Sequence, residues 1–392
     1  EQAEARFIVE RIEGWVDEGN TRRSSAILYR SNAQSRVLEE ALIRAQIPYR
    51  IYGGQRFYER LEIRNALAYM RLLIRRSDDT ALERVLNLPP RGIGNKTVEQ
   101  LRDLARARQV PLWQAIVIAQ DEQLFTSRAL KALSGFTALV DELDSFTLEL
   151  PLEELTEHVV AHSGLVEYHR AEKGERGQAR VENLEELVSA AKTFVPDDTD
   201  APTLQQFLDS AALDAGDAQA DPHEDSVQLM TLHSAKGLEF PLVFLAGMEE
   251  NLFPHRMSLD EPGRLEEERR LCYVGITRAM EKLVLTYVES RRLHGSESYN
   301  IASRFVRELP AELLNEVRLG AAVSRPLSSL SPTPSAAHLD SGVSLGQRVM
   351  HQVFGEGVVT NFEGGGSNAR VEVSFAEGSK WLVLQYANLQ PL

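Results

Sequence analysis

Residues 227–247 read VQLMTLHSAKGLEFPLVFLAG, and this stretch predicts the centre of the fold. Two runs rich in Val, Leu, Met, Thr and Phe flank a turn that extends from His233 to Glu239. Runs as apolar as these are typical of parallel strands that are buried on both faces. In parallel sheets, ligands bind at the loops beyond the carboxyl ends of the strands. A turn that holds His, Lys, Gly and Glu is therefore expected to contact a nucleotide or an anion.

A strand, a helix and a second strand are predicted near the start of the chain. The sequence begins without methionine inside an amphipathic helix that ends at Gly19-Asn20, so we interpret the chain as a piece of a longer protein. Residues 26–29 form a strand, Ser31 or Asn32 caps the following helix, and residues 49–52 form the second strand. Elements in this order form a right-handed unit with parallel strands.

Apolar residues recur at helical spacing from about Leu61 to about Asp225. Strand patterns resume at Val227 and continue through residues 242–245 and 283–288. The sequence therefore predicts one α/β domain that is interrupted by an all-helical insertion.

The C-terminal part of the chain is predicted to form a separate all-β unit. Residues 320–342 are rich in Ser, Pro and Ala, which indicates a flexible linker. Short alternating runs with Gly-rich turns follow at 346–350, 357–362, 370–375 and 380–384. This pattern predicts a small β-barrel of about fifty residues.

The net charge of −15 argues at first against a nucleic-acid partner, but the charge is unevenly distributed. Residues 21–110 hold 18 Lys and Arg against 9 Asp and Glu, whereas residues 121–225 hold 7 against 24. Phosphate binding depends on the local field, so the first region can bind DNA while the second repels it. Both regions can equally be solvated helix faces.

Other classes of protein and site are disfavoured by the sequence. No apolar run approaches the ~20 residues that span a bilayer, and no signal pattern opens the chain, so we expect no membrane contact. The single cysteine, Cys272, excludes an internal disulfide and fits the reducing cytoplasm. No Cys/His cluster has metal-ligand spacing, so no metal site is expected.

Three stretches carry a resemblance to a known family. TLHSAKGLEF at 231–240 resembles motif V of UvrD/PcrA-type superfamily 1 DNA helicases. EEERRLCYVGITRA at 266–279 resembles their motif VI, and LYRSNAQSR at 28–36 resembles their motif IV. The three occur in the order of the family, and the resemblance extends over nearly the whole chain.

The resemblance implies a RecA-like parallel-sheet domain with a helical insertion, a linker and a Tudor/SH3-like barrel. In that arrangement, residues 1–60 and 226–316 form domain 2A, residues 61–225 form the inserted domain 2B, residues 317–342 form the linker, and residues 343–392 form the barrel. In the family this barrel contacts RNA polymerase, so RNA polymerase is an implied partner.

The resemblance assigns three residues to the nucleotide. Arg278 acts on the γ-phosphate of ATP as an arginine finger, for which its planar, permanently charged fork is suited. Glu239 accepts hydrogen bonds from the ribose, and Gly237 lets the turn bend tightly. The alternatives are that Arg278 neutralises the end of its own helix and that Glu239 is an ordinary exposed residue.

The resemblance assigns four further residues to single-stranded DNA: Arg30, Asn32, Thr231 and His233. Arg30 and Asn32 stand where a strand meets a helix, so backbone amides and an arginine are expected to form a phosphate-binding corner there. The alternatives are that Asn32 or Ser31 only caps the helix and that His233 is structural.

PPRGIGNKT at 89–97 is the last candidate site. A Gly-x-Gly hairpin before a helix directs unbonded N–H groups at a phosphate, and the resemblance implies that Arg91, Gly92, Gly94 and Lys96 hold duplex DNA. Alone, such a sequence is usually just a turn. After motif VI, His294 stands where the family commonly has a Tyr or Phe that stacks on a DNA base, and imidazole offers less stacking area.

A Gly-x-x-x-x-Gly-Lys-Ser/Thr loop and a strand that ends in Asp-Glu are both missing from the sequence. The resemblance places these in an N-terminal domain, which would bind most of ATP and Mg²⁺, so we expect no hydrolysis by this chain alone. The implied function is the C-terminal part of an ATP-dependent 3′–5′ helicase for DNA repair, acting in the cytoplasm on the nucleoid. Its partners would be single-stranded DNA, single/double-strand junctions and the N-terminal helicase domains. The alternative is a non-catalytic adaptor between DNA and RNA polymerase.

Overall fold

The computed structural model describes residues 1–172, 174–197, 201–216, 224–259, 263–293, 296–315, 317, 348–363, 370–375, 378–383, 387 and 389–391. Two compact units can be distinguished. One comprises Gln2–Ser234 with Arg292–Ser296, and the other comprises Ala235–Arg291 with Glu297–Leu392 and Glu1.

The α/β part is built on a parallel five-stranded sheet with the order β2-β3-β1-β4-β5. The strands are β1 (Ser25–Tyr29), β2 (Tyr49–Ile51), β3 (Val227–Thr231), β4 (Phe240–Leu245) and β5 (Ala279–Leu285). All of β1 and the last four residues of β4 are buried, as their unbroken apolar sequences predict.

The strand pairing refines the prediction for the first strand-helix-strand unit. β1 and β2 are parallel, but β3 lies between them: Ala26 is opposite Gln228, and Tyr49 is opposite Val227. The connection between two strands fixes their direction and handedness and does not require that they be neighbours. β3, which follows the insertion, is more apolar than β2. It takes the inner position, where each of its two edges is hydrogen-bonded to a neighbouring strand.

Helices precede, interrupt and follow the sheet, and the insertion is all-helical as predicted. The flanking helices are α1 (Gln2–Asp17), α2 (Ser35–Arg44), α12 (Arg256–Leu259), α13 (Arg264–Ile276) and α14 (Arg304–Arg307). The helices of the insertion are α3 (Leu61–Ile74), α4 (Asp79–Val85), α5 (Asn95–Arg108), α6 (Leu112–Asp121), α7 (Ser127–Asp144), α8 (Leu152–His162), α9 (Leu165–Arg170), α10 (Glu175–Thr193) and α11 (Thr203–Gly216). They share one apolar core that includes Leu72, Ile116, Phe136 and Leu187.

Two further sheets follow β5 along the chain. A two-stranded hairpin is formed by β6 (Ser290–Leu293) and β7 (Ser296–Tyr299). An antiparallel five-stranded sheet has the order β11-β10-β9-β8-β12 and is formed by β8 (Arg348–His351), β9 (Gly355–Glu363), β10 (Arg370–Phe375), β11 (Gly378–Val383) and β12 (Gln390–Pro391). Its core contains Val349, Val371 and Phe375. The predicted linker lies outside the described residues except for Val317.

A buried ion pair ties α2 to α10. Arg36 Nε donates to the Glu186 carboxylate at 2.6 Å, and both side chains are only 2% exposed. Arg36 Nη1 donates to Glu40 at 2.7 Å. Burial lowers the pKa of Arg36, but Glu186 and Glu40 outweigh burial and raise it above its usual value, so the guanidinium stays charged.

We expect Glu186→Gln to lower the free energy of unfolding of its unit by about 3 kcal/mol, because it removes the buried one of the two carboxylates that pair with Arg36 and leaves only the partly exposed Glu40. The double variant Arg36→Met/Glu186→Leu should recover at least half of that loss, since it removes both charges. Urea unfolding followed by circular dichroism measures both values. Equal losses in the single and double variants would contradict this account of the pair.

Candidate nucleotide and nucleic-acid sites

Two of the predicted DNA-contacting pairs lie at neighbouring strand ends. Arg30 and Asn32 follow β1, Thr231 and His233 lie at the end of β3, and Tyr29 is directly opposite Thr231 in the parallel register. Leu232 N–H donates to the Tyr29 carbonyl at 2.9 Å, which continues the pairing past the last strand residue. These four residues therefore share the carboxyl-end edge of β1 and β3.

The turn after β3 is shaped by short-range hydrogen bonds. The hydroxyls of Thr231 and Ser234 are 3.1 Å apart, and Ser234 N–H donates to the Thr231 carbonyl at 3.0 Å. The His233 side chain is exposed on this turn. Gly53, which follows β2, approaches closely: a Cβ at this position would lie 3.2 Å from Ser234 Oγ. Because Gly53 also has a left-handed φ of 74°, a glycine is favoured where β2 ends beside this turn.

The corner after β1 differs from the prediction. Ser31 caps a 3-10 turn at Asn32–Gln34, and α2 begins only at Ser35. The N–H groups of Arg30 and Ser31 donate to Gln34 Oε1 at 3.0 and 2.8 Å, so the expectation of open backbone amides here is wrong. The Asn32 carbonyl accepts from Arg60 at 2.9 Å. The side chains of Arg30 and Asn32 are half-buried at this corner.

Arg278 contacts the turn that holds Glu239. Its Nη1 donates to the Leu238 carbonyl at 2.7 Å, and its Nε donates to the Val274 carbonyl of α13 at 3.0 Å. Its Nη2 donates to the Thr277 hydroxyl at 3.0 Å. The Val274 contact satisfies the end of α13, so the alternative role proposed for this arginine is present in the structure. The guanidinium is only half-buried, which leaves it accessible to a ligand.

Gly237, Glu239 and Arg278 lie together, but Gly237 and Glu239 do not lie where the sequence placed them. Gly237 adopts a left-handed φ of 88°, and the Glu239 side chain is exposed. Glu239 directly precedes β4 and Arg278 directly precedes β5, and Phe240 N–H donates to the Arg278 carbonyl at 2.9 Å. The expectation that the whole turn lies beyond carboxyl strand ends is therefore wrong for its second half, because the turn ends at the amino ends of β4 and β5.

The loop before α5 is supported from beneath by Asn87 and Arg91. Asn87 Oδ1 accepts from the N–H groups of Arg91 and Ile93 at 2.8 and 3.1 Å. The prediction of N–H groups that are open to a phosphate is therefore wrong for these two residues. The Arg91 guanidinium donates to the carbonyls of Pro89 and Ser163 at 3.0 and 2.8 Å. Its side chain thus holds the loop in place, and Ile93, which is 1% exposed, packs into the helical core.

The exposed side of this loop presents Gly92, Gly94 and Lys96. Gly92 has a φ of 82°, whereas Gly94, the N-cap of α5, has an ordinary φ of −81°. Both glycines have open space where a Cβ would lie. Below the loop, Tyr69 donates to the Leu88 carbonyl at 2.7 Å, and burial raises the pKa of Tyr69 to about 12, so it remains a donor.

Sequence reasoning missed two residues that organise these regions. Asn87 precedes Leu-Pro-Pro, a setting in which an Asn side chain commonly bonds the backbone of a turn. Glu249 is fully buried just after β4, and a carboxylate inside the apolar run LAGMEENLFP was the available signal. His294 lies outside the described residues.

Two kinds of feature are absent from the part of the chain that the structure describes. No group of three or more His, Cys, Asp or Glu side chains there could hold a metal ion. None of the described helices combines the length and the apolar character needed to cross a bilayer.

Replacement of Asn87 tests how the loop before α5 is held. Asn87→Ala should lower the free energy of unfolding by about 1 kcal/mol, because the N–H groups of Arg91 and Ile93 lose their acceptor. Asn87→Asp keeps a carboxylate oxygen at the same place and should stay close to the parent value. Urea titration of the three chains gives the comparison, and equal losses in both variants would contradict the assigned hydrogen bonds.

Comparison with known proteins relates the chain to one family. The model of the UvrD-like helicase C-terminal domain matches residues 1–290. DNA helicase II of Escherichia coli (strain K12) is 56% identical over 390 residues, which cover 99% of this chain and 54% of the relative. DNA helicase II of Haemophilus influenzae is 51% identical over 392 residues, which cover 99% of this chain and 54% of the relative.

A more distant relative gives the same coverage. The ATP-dependent DNA helicase PcrA of Bacillus subtilis is 38% identical over 414 residues, which cover 100% of this chain and 55% of the relative. The chain thus spans about half the length of the curated relatives it matches.

Proposed function

This chain belongs to the family of UvrD-like helicase C-terminal domains, and from that premise we propose that it is the C-terminal part of an ATP-dependent 3′–5′ DNA helicase that acts in DNA repair. It would act in the cytoplasm, on the nucleoid, together with N-terminal helicase domains. The observation that carries the proposal is the contact between Arg278 and the turn that holds Glu239. This contact brings a cation and a carboxylate to the amino ends of two adjacent strands, β4 and β5.

This pair is suited to complete a nucleotide site. The Glu239 carboxylate accepts hydrogen bonds from ribose hydroxyls, and the left-handed turn at Gly237 precedes it. The Arg278 guanidinium donates to the γ-phosphate, where its fixed charge stabilises the charge that develops during transfer. Mg²⁺ and most of ATP are held by the N-terminal half. The bonds from Arg278 to Val274 and Leu238 keep the guanidinium oriented before ATP arrives.

Single-stranded DNA binds, in this proposal, along the carboxyl-end edge of β1 and β3. The Tyr29–Thr231 register supports the assignment, because it sets Arg30 and Asn32 beside Thr231 and His233. Arg30 and Asn32 contact the backbone of the strand, and His233 adds an exposed imidazole. His294 contributes a weaker base-stacking surface than a phenyl ring would.

Duplex DNA binds at the loop before α5. Gly92 and Gly94 leave the outer side of the loop free of side chains, so a phosphate can approach its backbone. Lys96 adds charge in the first turn of α5, and Arg91 acts from below by fixing the loop. The starts of α3 at Leu61 and of β3 at Val227 support an insertion that covers residues 61–225.

The C-terminal five-stranded sheet is assigned to protein contact, with RNA polymerase as the partner that the family resemblance implies. An adaptor without catalytic activity, which binds DNA and RNA polymerase, is the second candidate. The two functions share the DNA contacts and differ in whether ATP is hydrolysed.

Arg278→Ala should lower DNA-stimulated ATP hydrolysis by about a thousandfold, the effect of losing an arginine finger. The assay uses a polypeptide that joins this chain to the N-terminal half of the Escherichia coli relative. Arg270→Ala is the matched control, since Arg270 is exposed on α13 and pairs only with Glu267 among the described residues. A loss of less than about tenfold, or an equal loss in the control, would contradict the assigned role.

Gly94→Ala should weaken binding to a duplex with a 3′ single-stranded tail while lowering stability by no more than about 1 kcal/mol, the cost of an alanine at the N-cap of α5. The reason is that Gly94 has an ordinary φ and open space, so only a bound backbone would meet the new methyl group. Gly92→Ala should also cost about 1–2 kcal/mol of stability, because its φ is left-handed.

The binding titrations are run over a salt series with Gly135→Ala as control, an exposed glycine in α7 with equally open space. Binding should weaken steeply with salt, as expected for phosphate contacts. If the two variants Gly94→Ala and Gly135→Ala bind the tailed duplex with the same affinity, the duplex does not bind at the loop before α5.

A further inference from the structure

Two histidines lie one helical turn apart on α8, outside the proposed nucleotide and nucleic-acid sites. His158 and His162 are four residues apart, a spacing that puts both side chains on the same face of a helix. Their ring centroids are 4.2 Å apart, and the two ring planes are inclined at 36°. The nitrogens of the two imidazoles are therefore within a few ångströms of one another.

A backbone hydrogen bond defines the tautomer of the His162 ring. Its Nδ1 lies 2.9 Å from the carbonyl oxygen of His158. A carbonyl oxygen can only accept, so in the neutral ring Nδ1 carries the proton and Nε2 carries the lone pair. Imidazoles that bind metals are held in the same way, with one ring N–H donating to a carbonyl while the other nitrogen binds the metal. The Nε2 of His162, on an exposed side chain, is therefore suited to be a metal ligand.

The ring of His158 is more enclosed than that of His162. Its Nε2 is buried and has no hydrogen-bond partner among the described residues. Phe146, which follows α7, makes an edge contact with the ring at 4.7 Å between centroids. Burial lowers the pKa of His158 and His162 lowers it further, against the opposite effect of Glu142, so the ring is neutral at pH 7. A buried nitrogen without a partner costs free energy, which a cation bound to its lone pair offsets.

Two imidazoles select one class of cation. Imidazole nitrogen binds Zn²⁺, Cu²⁺ and Ni²⁺, whereas Mg²⁺ and Ca²⁺ prefer oxygen ligands. A structural zinc site needs four protein ligands, and the described residues offer no group of three or more His, Cys, Asp or Glu that could hold a metal ion. The pair therefore supplies two ligands, and water fills the other positions. Such a site is open and exchanges its metal with the solution.

The end of α8 connects this pair to the loop before α5. The helix ends at His162, and the carbonyl of the next residue, Ser163, accepts from Arg91 Nη2 at 2.8 Å. Arg91 Nη1 also donates to the Pro89 carbonyl in that loop at 3.0 Å. A cation shared by two side chains one turn apart holds that turn in the helical conformation, because metal binding favours the fold that brings its ligands together.

We propose that His158 and His162 form a binding site for a divalent transition-metal cation such as Zn²⁺, which fixes the last turn of α8 and, through Ser163 and Arg91, the loop before α5. Each Nε2 binds the cation at about 2.0–2.1 Å, the usual distance between zinc and imidazole. The exposed His162 ring turns about its side-chain bonds to admit the cation between the two rings. The site is independent of the proposed helicase function, since neither histidine is assigned to nucleotide or DNA.

Calorimetric titration of Zn²⁺ into residues 1–392 without a polyhistidine tag tests the site. The parent should bind Zn²⁺ with a submillimolar Kd, and His158→Gln and His162→Gln should each weaken this binding at least about tenfold, since either change removes half of the chelate. Glu157→Gln is the matched control, because it removes an exposed side chain from the same helix and should leave the Kd unchanged. Mg²⁺ should not compete with Zn²⁺.

Urea unfolding and hydrogen exchange give a second readout. At a free Zn²⁺ concentration of about ten times the measured Kd, the folding equilibrium constant should rise about elevenfold in the parent and not in His162→Gln. His162 is exposed, so this variant should fold, which circular dichroism checks. Exchange should slow with Zn²⁺ at residues 158–165 and 89–97 and stay unchanged with Mg²⁺.

Three results would overturn the proposal. A parent chain that does not bind Zn²⁺ has no such site. Equal binding by the parent and His162→Gln means that the metal binds at other residues. Binding that requires both histidines but leaves exchange at residues 89–97 unchanged overturns the link from α8 to the loop before α5.

Discussion

The parallel pairing of β1 with β3 is the interaction on which the rest of the fold depends. Ile27 lies opposite Leu229 and Leu28 lies opposite Met230, and all four side chains are completely buried. Burial of each contributes about 1.5–3 kcal/mol, and the entropy cost of closing the long intervening segment grows only slowly with its length. The pairing joins two parts of the sequence that lie on either side of the helical insertion. It also sets the proposed DNA-contacting residues side by side.

Much of this architecture follows from local sequence patterns. The continuous apolar runs at 227–231 and 240–245 predict buried parallel strands, and helical spacing predicts the insertion. The position of β3 between β1 and β2 does not follow, because alternation and propensity carry no information about which strands become neighbours. The course of the turn that ends at Glu239 does not follow from the sequence either, since its direction across the sheet depends on how β4 is placed.

Residues whose role depends on distant partners were the least predictable. The sequence predicts that Arg91 contacts DNA, because it lies in a basic loop. In the structure its guanidinium donates to backbone carbonyls, and one of them belongs to Ser163, which lies far away in sequence. In the sequence, Glu249 and Glu250 are two adjacent acidic residues that look alike. Only the hydrogen-bond donors that surround each carboxylate in the structure distinguish them. The motif residues Arg278, Glu239 and Gly237 could be grouped from sequence because the family resemblance supplied the long-range relation that local patterns lack.

ATP hydrolysis by residues 1–392 alone is the most direct test of the central claim, which is that this chain supplies one side of a nucleotide site and needs an N-terminal half to complete it. The account predicts no DNA-stimulated hydrolysis by the chain alone and clear hydrolysis once it is joined to the N-terminal half of a relative. Hydrolysis by residues 1–392 alone that is stimulated by DNA and abolished by Arg278→Ala would contradict it.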